Sequence, residues 1–178
     1  MSGDDDTVTE RAARILLIGM MGAGKTTVGR ELARRTGRPF LDNDVLVREL
    51  TGRAPAAIDS EDGEDALHLA EIAAFRAALD RSGPAVIAVA GAVVDDPEAS
   101  RELARAGLVV WLRARPETLR ERIGAGLGRR TDATDVDWLT ARAAEREMRY
   151  AAVAGIRIDV DNLDPAQAAD LILDESAG

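Results

Sequence analysis

The sequence predicts an α/β fold in which a parallel sheet is covered by helices on both faces. Two observations lead to this prediction. Short apolar runs alternate with helical segments along the chain, and a glycine-rich motif stands between the first such run and the first helix. With 178 residues, of which 46% are hydrophobic, the chain suits a single domain with a substantial core.

Five short apolar runs are expected to form the strands. They are Arg14–Gly19, Pro39–Leu41, Ala85–Ala90, Leu108–Leu112 and Ile156–Val160. Asp96-Pro97 and Asp164-Pro165 each have the pattern of a helix N-cap followed by a proline in the first turn, and Gly37 is placed to end the first helix. Residues 1–12 are polar and acidic, so we expect a disordered tail followed by one domain over 13–178.

Charge and composition exclude several classes of function. A formal net charge of −9 argues against nucleic acid or a membrane surface as a partner. The chain has no cysteine and no run of about 18 apolar residues, and we expect no cleavable leader. We therefore expect a cytoplasmic protein.

The motif GMMGAGKT, from Gly19 to Thr26, fits the P-loop (Walker A) pattern G-x-x-x-x-G-K-[ST]. Its glycines allow a tight turn whose backbone N–H groups point at a phosphate, and the dipole of the following helix adds to the attraction. The lysine can reach the β and γ phosphates, and the hydroxyl that follows it can ligate Mg²⁺. The predicted nucleotide-binding residues are Gly22, Ala23, Gly24, Lys25, Thr26 and Thr27.

Two carboxylates follow the second predicted strand, in the segment Phe40–Val47 (FLDNDVLV). Asp42 and Asp44 stand two residues apart just past the strand end, so both can face the crevice, one toward Mg²⁺ and one toward an acceptor hydroxyl. The alternative is an Asx turn that caps the next helix. The phosphate loop upstream favours the functional interpretation.

The segment Leu16–Asp44, with TGR at Thr51–Arg53, DGE at Asp62–Glu64 and REMRY at Arg146–Tyr150, resembles the shikimate kinase family. The resemblance implies a small monomeric kinase of three α/β/α layers with five parallel strands in the order 2-3-1-4-5. It implies ATP and Mg²⁺, a small-molecule hydroxyl acceptor, a substrate-binding region near 44–81, and a lid near 124–133 that excludes water.

The resemblance implies roles for several residues. Lys25 and Thr26 match the phosphate-loop lysine and the magnesium-ligating hydroxyl residue. Asp42 matches a residue that holds the metal through water, and Asp44 matches the carboxylate at the acceptor hydroxyl. Arg129 matches a lid arginine that steadies charge on the transferring phosphoryl group, and Arg146 matches one of two arginines that grip the substrate carboxylate.

The departures from the family pattern lie on the acceptor side and in the lid. His68 replaces the second carboxylate-binding arginine, Leu67 replaces the phenylalanine before it, and Glu71 is retained. Asp59 replaces a pocket phenylalanine. The three glycines after the third strand appear as Ala90, Gly91 and Ala92, the lid reads RRTD, and Met148 and Arg149 stand in the last motif.

His68 is the only histidine, and its helical spacing with Ile72, Phe75 and Leu79 turns it inward, toward the crevice or the core. It is either a core histidine satisfied by Glu71 or part of the acceptor site. An imidazole cannot reproduce a bidentate arginine fork, so affinity for a carboxylate should fall unless another cation, such as Arg149, compensates.

Three functions stay open at this point. The first is an ATP-dependent kinase for a small polar hydroxyl compound other than shikimate. The second is a shikimate kinase with a repacked pocket. The third is a nucleotide-binding module whose acceptor site has decayed. The sequence does not identify the acceptor, the pathway or the oligomeric state, and it does not distinguish adenine from guanine.

Overall fold

The structure, a computed structural model, describes residues 14–124 and 135–177. Its centre is a parallel sheet with the strand order β2-β3-β1-β4-β5, which confirms the order that the family resemblance implied. The strands are β1 (Arg14–Ile18), β2 (Phe40–Asp42), β3 (Ala85–Ala88), β4 (Leu108–Arg113) and β5 (Ile156–Asp159).

Eight α-helices connect the strands within the described residues. They are α1 (Lys25–Thr36), α2 (Asn43–Thr51), α3 (Pro55–Asp62), α4 (Glu64–Leu79), α5 (Pro97–Ala106), α6 (Pro116–Gly124), α7 (Val136–Val153) and α8 (Pro165–Ser176). A short 3₁₀ helix covers Gly91–Asp95. The expected tail at 1–12 lies outside the described residues, and of the lid expected near 124–133 only Gly124 is described.

Strand β1 is buried along its whole length because it pairs with β3 on one side and β4 on the other. Its Leu16 and Leu17 have no exposed surface. A strand covered on both faces needs a continuous apolar sequence, and RILLI supplies one after its first residue. Helices α1 and α8 pack against each other, and α5 packs over β1 and β4, so the sheet forms the middle of three layers.

The predicted helix ends are confirmed by their capping contacts. The Asp96 carboxylate accepts hydrogen bonds from the backbone N–H groups of Glu98 (3.0 Å) and Ala99 (2.7 Å). Asp164 forms a reciprocal capping box with Gln167. Gly37 ends α1 with a φ of 69°, in the left-handed region that favours glycine.

Within the residues that the structure describes, no helix has both the length and the apolar character needed to cross a bilayer. The apolar side chains are used instead in a core that joins the sheet to the helices on its two faces.

We expect Leu32→Ala to lower the free energy of unfolding by about 2–5 kcal/mol, because Leu32 is a fully buried side chain of α1 and its truncation leaves a cavity. Leu69→Ala is the matched control, since Leu69 is 71% exposed, and it should change stability by less than about 0.5 kcal/mol. Urea unfolding curves with unchanged slopes would measure both values. Equal losses in the two variants would contradict this description of the core.

Candidate active site

A cavity of about 610 Å³ opens where the carboxyl ends of β1, β2 and β3 meet. The predicted site residues that line it are Gly22, Gly24, Lys25, Thr26, Thr27, Asp42, Asp44, Asp59, His68, Gly91 and Arg146. Ala23 lies beneath the loop, 1% exposed, and Arg129 lies outside the described residues. The structure therefore brings together, in one cavity, residues that were predicted to bind nucleotide, metal and acceptor and that lie more than a hundred positions apart in the sequence.

The phosphate loop between β1 and α1 needs glycine at two of its turns for steric reasons. Gly19 has a φ of 145°, and a Cβ there would lie 2.4 Å from the backbone oxygen of Leu112. Gly22 has a φ of 83°, and a Cβ there would lie 2.9 Å from the backbone oxygen of Leu119. Both contacts are with backbone atoms that have no freedom to move aside, so any larger residue would displace the loop.

Lys25 is the only lysine of the chain and the first residue of α1. Its Nζ donates hydrogen bonds to the backbone oxygens of Gly19 (2.8 Å) and Met20 (3.2 Å). The ammonium group thus lies across the loop, where the loop N–H groups and the helix N-terminus also favour an anion. This arrangement suits a group that binds nucleotide phosphates.

Asp42 caps the next helix and also contacts the phosphate loop, so it combines the two alternatives that the sequence left open. Its Oδ1 accepts a hydrogen bond from the backbone N–H of Asp44 (3.0 Å), which caps α2. Its Oδ2 accepts a hydrogen bond from the Thr26 hydroxyl (2.7 Å). The capping turn and the contact with the phosphate loop therefore coexist, and Asp44 is held in the same cavity.

The Thr26 and Asp42 oxygens fit a Mg²⁺ ion, which prefers oxygen ligands and usually keeps several waters. Among the described residues no cluster of three or more histidine, cysteine or carboxylate side chains is arranged to hold a metal. An ion at this place would therefore take most of its ligands from nucleotide phosphates and water, as Mg²⁺ does in phosphotransfer sites.

Arg122 of α6 is a cation of this site that the sequence analysis did not identify. Its Nη2 donates a hydrogen bond to the backbone oxygen of Val160 (2.7 Å), and Nη1 donates to that of Ala23 in the phosphate loop (3.4 Å). The segment after β4 carries several arginines, and no pattern in the sequence distinguishes this one. The sequence shows only that Arg122 follows a predicted strand, which indicates a place near the carboxyl edge of the sheet.

Arg146 of α7 reaches the acceptor half of the cavity but is already engaged by a carboxylate. The side chain is 8% exposed, and its Nε (3.1 Å) and Nη2 (2.8 Å) both donate to Oδ2 of Asp95. Arg149 donates to the other oxygen of Asp95. Burial acts to raise the pKa of Asp95, but the hydrogen bonds and charges of the two arginines outweigh it and hold that pKa below its ordinary value.

The suggestion that Arg149 compensates for the missing arginine at position 68 is wrong. The Arg149 side chain is half exposed and pairs with Asp95, and it is not among the residues that line the cavity. Arg149 lies one turn of α7 beyond Arg146, so both arginines converge on one carboxylate instead of on an acceptor.

Gly91 is the one position of residues 90–92 that has no side chain, and the structure leaves little room for one there. A Cβ there would lie 3.0 Å from the Tyr150 hydroxyl and 3.2 Å from Nη1 of Arg146. The same hydroxyl donates a hydrogen bond to the Gly91 backbone oxygen (3.2 Å). Ala90, by contrast, has an ordinary extended conformation, and no described non-glycine residue has a positive φ. The alanines at 90 and 92 are thus accommodated without strain.

His68 lines the cavity, but its neighbour differs from the one predicted. Its Nε2 lies 3.6 Å from Oε1 of Glu64, one helical turn earlier, and Glu64 also binds Arg142 of α7. Glu71, the predicted partner, forms none of the ion pairs found among the described residues. The interpretation of His68 as a core residue satisfied by Glu71 is therefore wrong, because the α4 turn directs the imidazole toward Glu64 and the cavity.

Glu71 is a half-buried carboxyl on the cavity wall. Burial, with a further contribution from the charge of Asp44, raises its pKa to about 7, although Arg146 and Lys25 act in the opposite direction. A carboxyl with this pKa is close to half protonated at neutral pH. Nothing in the sequence indicates this shift, because it depends on the depth of the side chain in the folded protein.

We expect amine-reactive labelling to modify Lys25, and ATP with Mg²⁺ to protect it. Because Lys25 is the only lysine, mass spectrometry need separate this site only from the N-terminus, which serves as the internal control.

Lys25→Ala should keep the fold and lose productive use of ATP and Mg²⁺, since a phosphate-binding cation can contribute several kcal/mol in a water-poor site. Unchanged nucleotide affinity in the variant would refute the assignment of the loop.

We expect Glu71→Gln to stabilise the protein at pH 8 by about 1–3 kcal/mol and to leave stability at pH 4 nearly unchanged. The folded protein keeps the Glu71 proton up to a pKa of about 7, whereas the unfolded chain loses it near its ordinary, lower pKa. Glu71 therefore lowers the free energy of unfolding progressively between those two values, and the loss persists above pH 7.

Denaturant unfolding at several pH values, without nucleotide, would measure this difference. Glu175→Gln in α8 is the control, because Glu175 is exposed and its removal should not alter the pH profile. A Glu71→Gln variant that is less stable than the parent protein at pH 8 would contradict the prediction.

Comparison with known proteins agrees with the geometry. The family model described as shikimate kinase matches residues 21–177. A shikimate kinase from Symbiobacterium thermophilum is 45% identical over 153 residues, covering 83% of this chain and 86% of that protein. A shikimate kinase from Xanthomonas axonopodis pv. citri is 34% identical over 167 residues, 91% of each chain.

Among solved structures, shikimate kinase from Acinetobacter baumannii in complex with shikimate aligns with a TM-score of 0.83 and 28% identity, and the match covers 96% of both chains. The family-model match extends from within the phosphate loop to the last helix. With this extent of similarity, and with the strand order in agreement, the chain belongs to the shikimate kinase family.

Proposed function

We propose that this protein is an ATP-dependent kinase that transfers the γ-phosphoryl group to a hydroxyl of a small polar molecule. The observation that carries the proposal is the meeting of the phosphate loop and Asp44 in one cavity. A phosphate-binding lysine and a carboxylate that can orient a hydroxyl are the parts that phosphoryl transfer to an alcohol requires.

In the proposed reaction, the acceptor oxygen forms a bond to the γ-phosphorus while the bond from that phosphorus to the β–γ bridging oxygen breaks. Asp44 orients the hydroxyl and takes its proton, and ADP leaves with the bridging oxygen. Lys25 stabilises charge on the transferring group. Arg129 is proposed for the same role from the family pattern. Thr26 and Asp42 would hold Mg²⁺, which neutralises phosphate charge when it is bound.

The acceptor half of the cavity favours a compound other than shikimate. His68 stands where the family pattern has an arginine, and Asp59 stands where it has an aromatic side chain. The other carboxylate-binding position, Arg146, is buried against Asp95. A carboxylate ligand would have to compete with Asp95 for the guanidinium and would also be repelled by Asp59.

Shikimate itself is the second candidate, and the observation that favours it is the 45% identity to a protein named shikimate kinase. Arg48 and Arg142 also line the cavity and are cations that could bind a carboxylate. The third possibility, a nucleotide-binding module without catalysis, is disfavoured by the retained contact between Thr26 and Asp42 and by Asp44 beside it.

We expect Asp44→Asn to lower kcat far more than it weakens ATP binding, because contact with the acceptor hydroxyl matters mainly in the transition state. Asp42→Asn should instead raise the Mg²⁺ concentration needed for half-maximal activity. Steady-state kinetics over a Mg²⁺ titration would separate the two effects. Identical kinetic defects in the two variants would contradict separate roles for Asp44 at the acceptor and Asp42 at the metal.

We expect the unmodified protein to bind ATP and Mg²⁺ but to use shikimate poorly. One lost charge-assisted fork, at about 1.5–3 kcal/mol per hydrogen bond, should reduce affinity roughly tenfold or more. The double variant His68→Arg, Asp59→Phe should increase shikimate turnover. A coupled ADP-release assay with a panel of polyols and acids would measure this, and a kcat/KM for shikimate above about 10⁴ M⁻¹s⁻¹ would establish the second candidate.

A further inference from the structure

We propose a second anion site at the amino edge of the sheet, where Arg14 of β1 and Arg101 and Arg105 of α5 bind a small phosphate compound. A cavity of about 450 Å³ lies there, lined by residues of β1, α4 and α5. None of its described lining residues also lines the cavity that contains the phosphate loop. The proposal therefore goes beyond the kinase function and does not depend on it.

Arg14 is a buried cation without an anionic partner in the part of the chain that the structure describes. Its side chain lines this cavity but is only 9% exposed, and its Nη2 donates a hydrogen bond to the backbone oxygen of Arg81 (3.1 Å). Its Nε is enclosed and has no hydrogen-bond partner among the described residues. Because Nε is enclosed, an anion in the cavity would stabilise Arg14 through its charge, which acts more strongly beside a buried group than in water.

Arg101 and Arg105 add two cations on one side of α5. They are four residues apart, which places them one helical turn from each other, and both line the cavity. Both are exposed, and neither forms any of the ion pairs found within 14–124 and 135–177. Arg105 lies in the last turn, where a cation also complements the helix dipole. That effect does not account for Arg101 one turn earlier or for Arg14 on the neighbouring strand.

The carboxylates beside this cavity are bound by a different arginine, Arg76 of α4. Glu102 accepts hydrogen bonds from its Nε (3.1 Å) and its Nη2 (2.8 Å), and Glu98 lies 3.6 Å from the same Nη2. Asp96, whose charge also reaches Arg76, accepts the backbone hydrogen bonds that cap α5. Arg76 thus compensates the nearby acidic groups, and the three arginines that line the cavity stay available to a ligand.

Three guanidinium groups that line one cavity favour a ligand with two or more negative charges. A phosphate group matches the planar fork of arginine and can accept hydrogen bonds from several guanidinium groups at once. A single carboxylate offers only two oxygens and one charge. The cavity volume is in the range of small-molecule sites. The favoured ligand is therefore a small phosphate compound, and inorganic phosphate is its simplest probe.

The test titrates inorganic phosphate into ¹⁵N-labelled, full-length protein at pH 8 and follows the backbone signals by NMR. The phosphate loop is first saturated with a non-hydrolysable ATP analogue and Mg²⁺, so that it cannot supply the binding site. We expect saturable shifts in the signals of Arg14 and of α5. Sodium chloride at the same ionic strength should not reproduce them, and acetate should bind at least about tenfold more weakly.

The double variant Arg101→Gln, Arg105→Gln should weaken phosphate binding about tenfold or more, because it removes two charged donors. The matched control is Arg30→Gln, Arg157→Gln, which removes two charges from exposed positions on α1 and β5. It should change the affinity by less than about twofold, since distant exposed charges are screened. Arg14 is left unchanged, because removal of its buried side chain would also test the folding of β1.

Shifts that do not saturate, that sodium chloride reproduces, or that are confined to the phosphate loop would overturn the proposal. Equal losses of affinity in the two double variants would also overturn it, because they would assign the binding to the net charge of the protein. Saturable binding that only the α5 variant weakens would establish the site. None of these readouts involves an acceptor or its phosphorylation, so a failure of the proposed kinase function would leave them unchanged.

Discussion

The candidate site depends on the two hydrogen bonds of one carboxylate. Asp42 is the last residue of β2, and its oxygens bind the first turn of α2 and the Thr26 hydroxyl at the start of α1. A single side chain thus fixes the phosphate loop relative to the segment that carries Asp44. Because the parallel strands end at the same edge of the sheet, this contact joins the two halves of the cavity directly.

The acceptor side is organised by a different interaction, the buried pair between Arg146 and Asp95. A buried arginine without a partner would be strongly unfavourable, and Asp95 supplies that partner from within the protein. The pair should lower the affinity of the cavity for a carboxylate ligand, because a guanidinium that is already bound to Asp95 is less available to the ligand.

The sequence predicted most of the fold because its signals are local. Apolar runs marked the strands, and Asp-Pro pairs and Gly37 marked helix ends that the structure confirms. The phosphate loop was equally predictable, because its glycines and its lysine form one contiguous sequence motif. The strand order required the family resemblance, because the pairing of β1 with β3 and β4 is not encoded within any one segment.

The acceptor side was less predictable because its interactions join residues that are distant in sequence. Asp95 and Arg146 are 51 positions apart, and the pairing of Arg142 with Glu64 spans 78. No periodicity reveals such contacts. The shifted pKa of Glu71 and the contact of Arg122 with the loop likewise depend on depth and direction in the folded chain.

The tight packing around Gly91 has a consequence for how this site could diversify. A Cβ at Gly91 would press on the Tyr150 hydroxyl and on Nη1 of Arg146, so a side chain there would require these neighbours to shift. Asp59 and His68 line the same cavity from α3 and α4, and neither is among the atoms that a Cβ at Gly91 would meet. We therefore expect acceptor preference to vary more readily through positions 59 and 68 than through position 91.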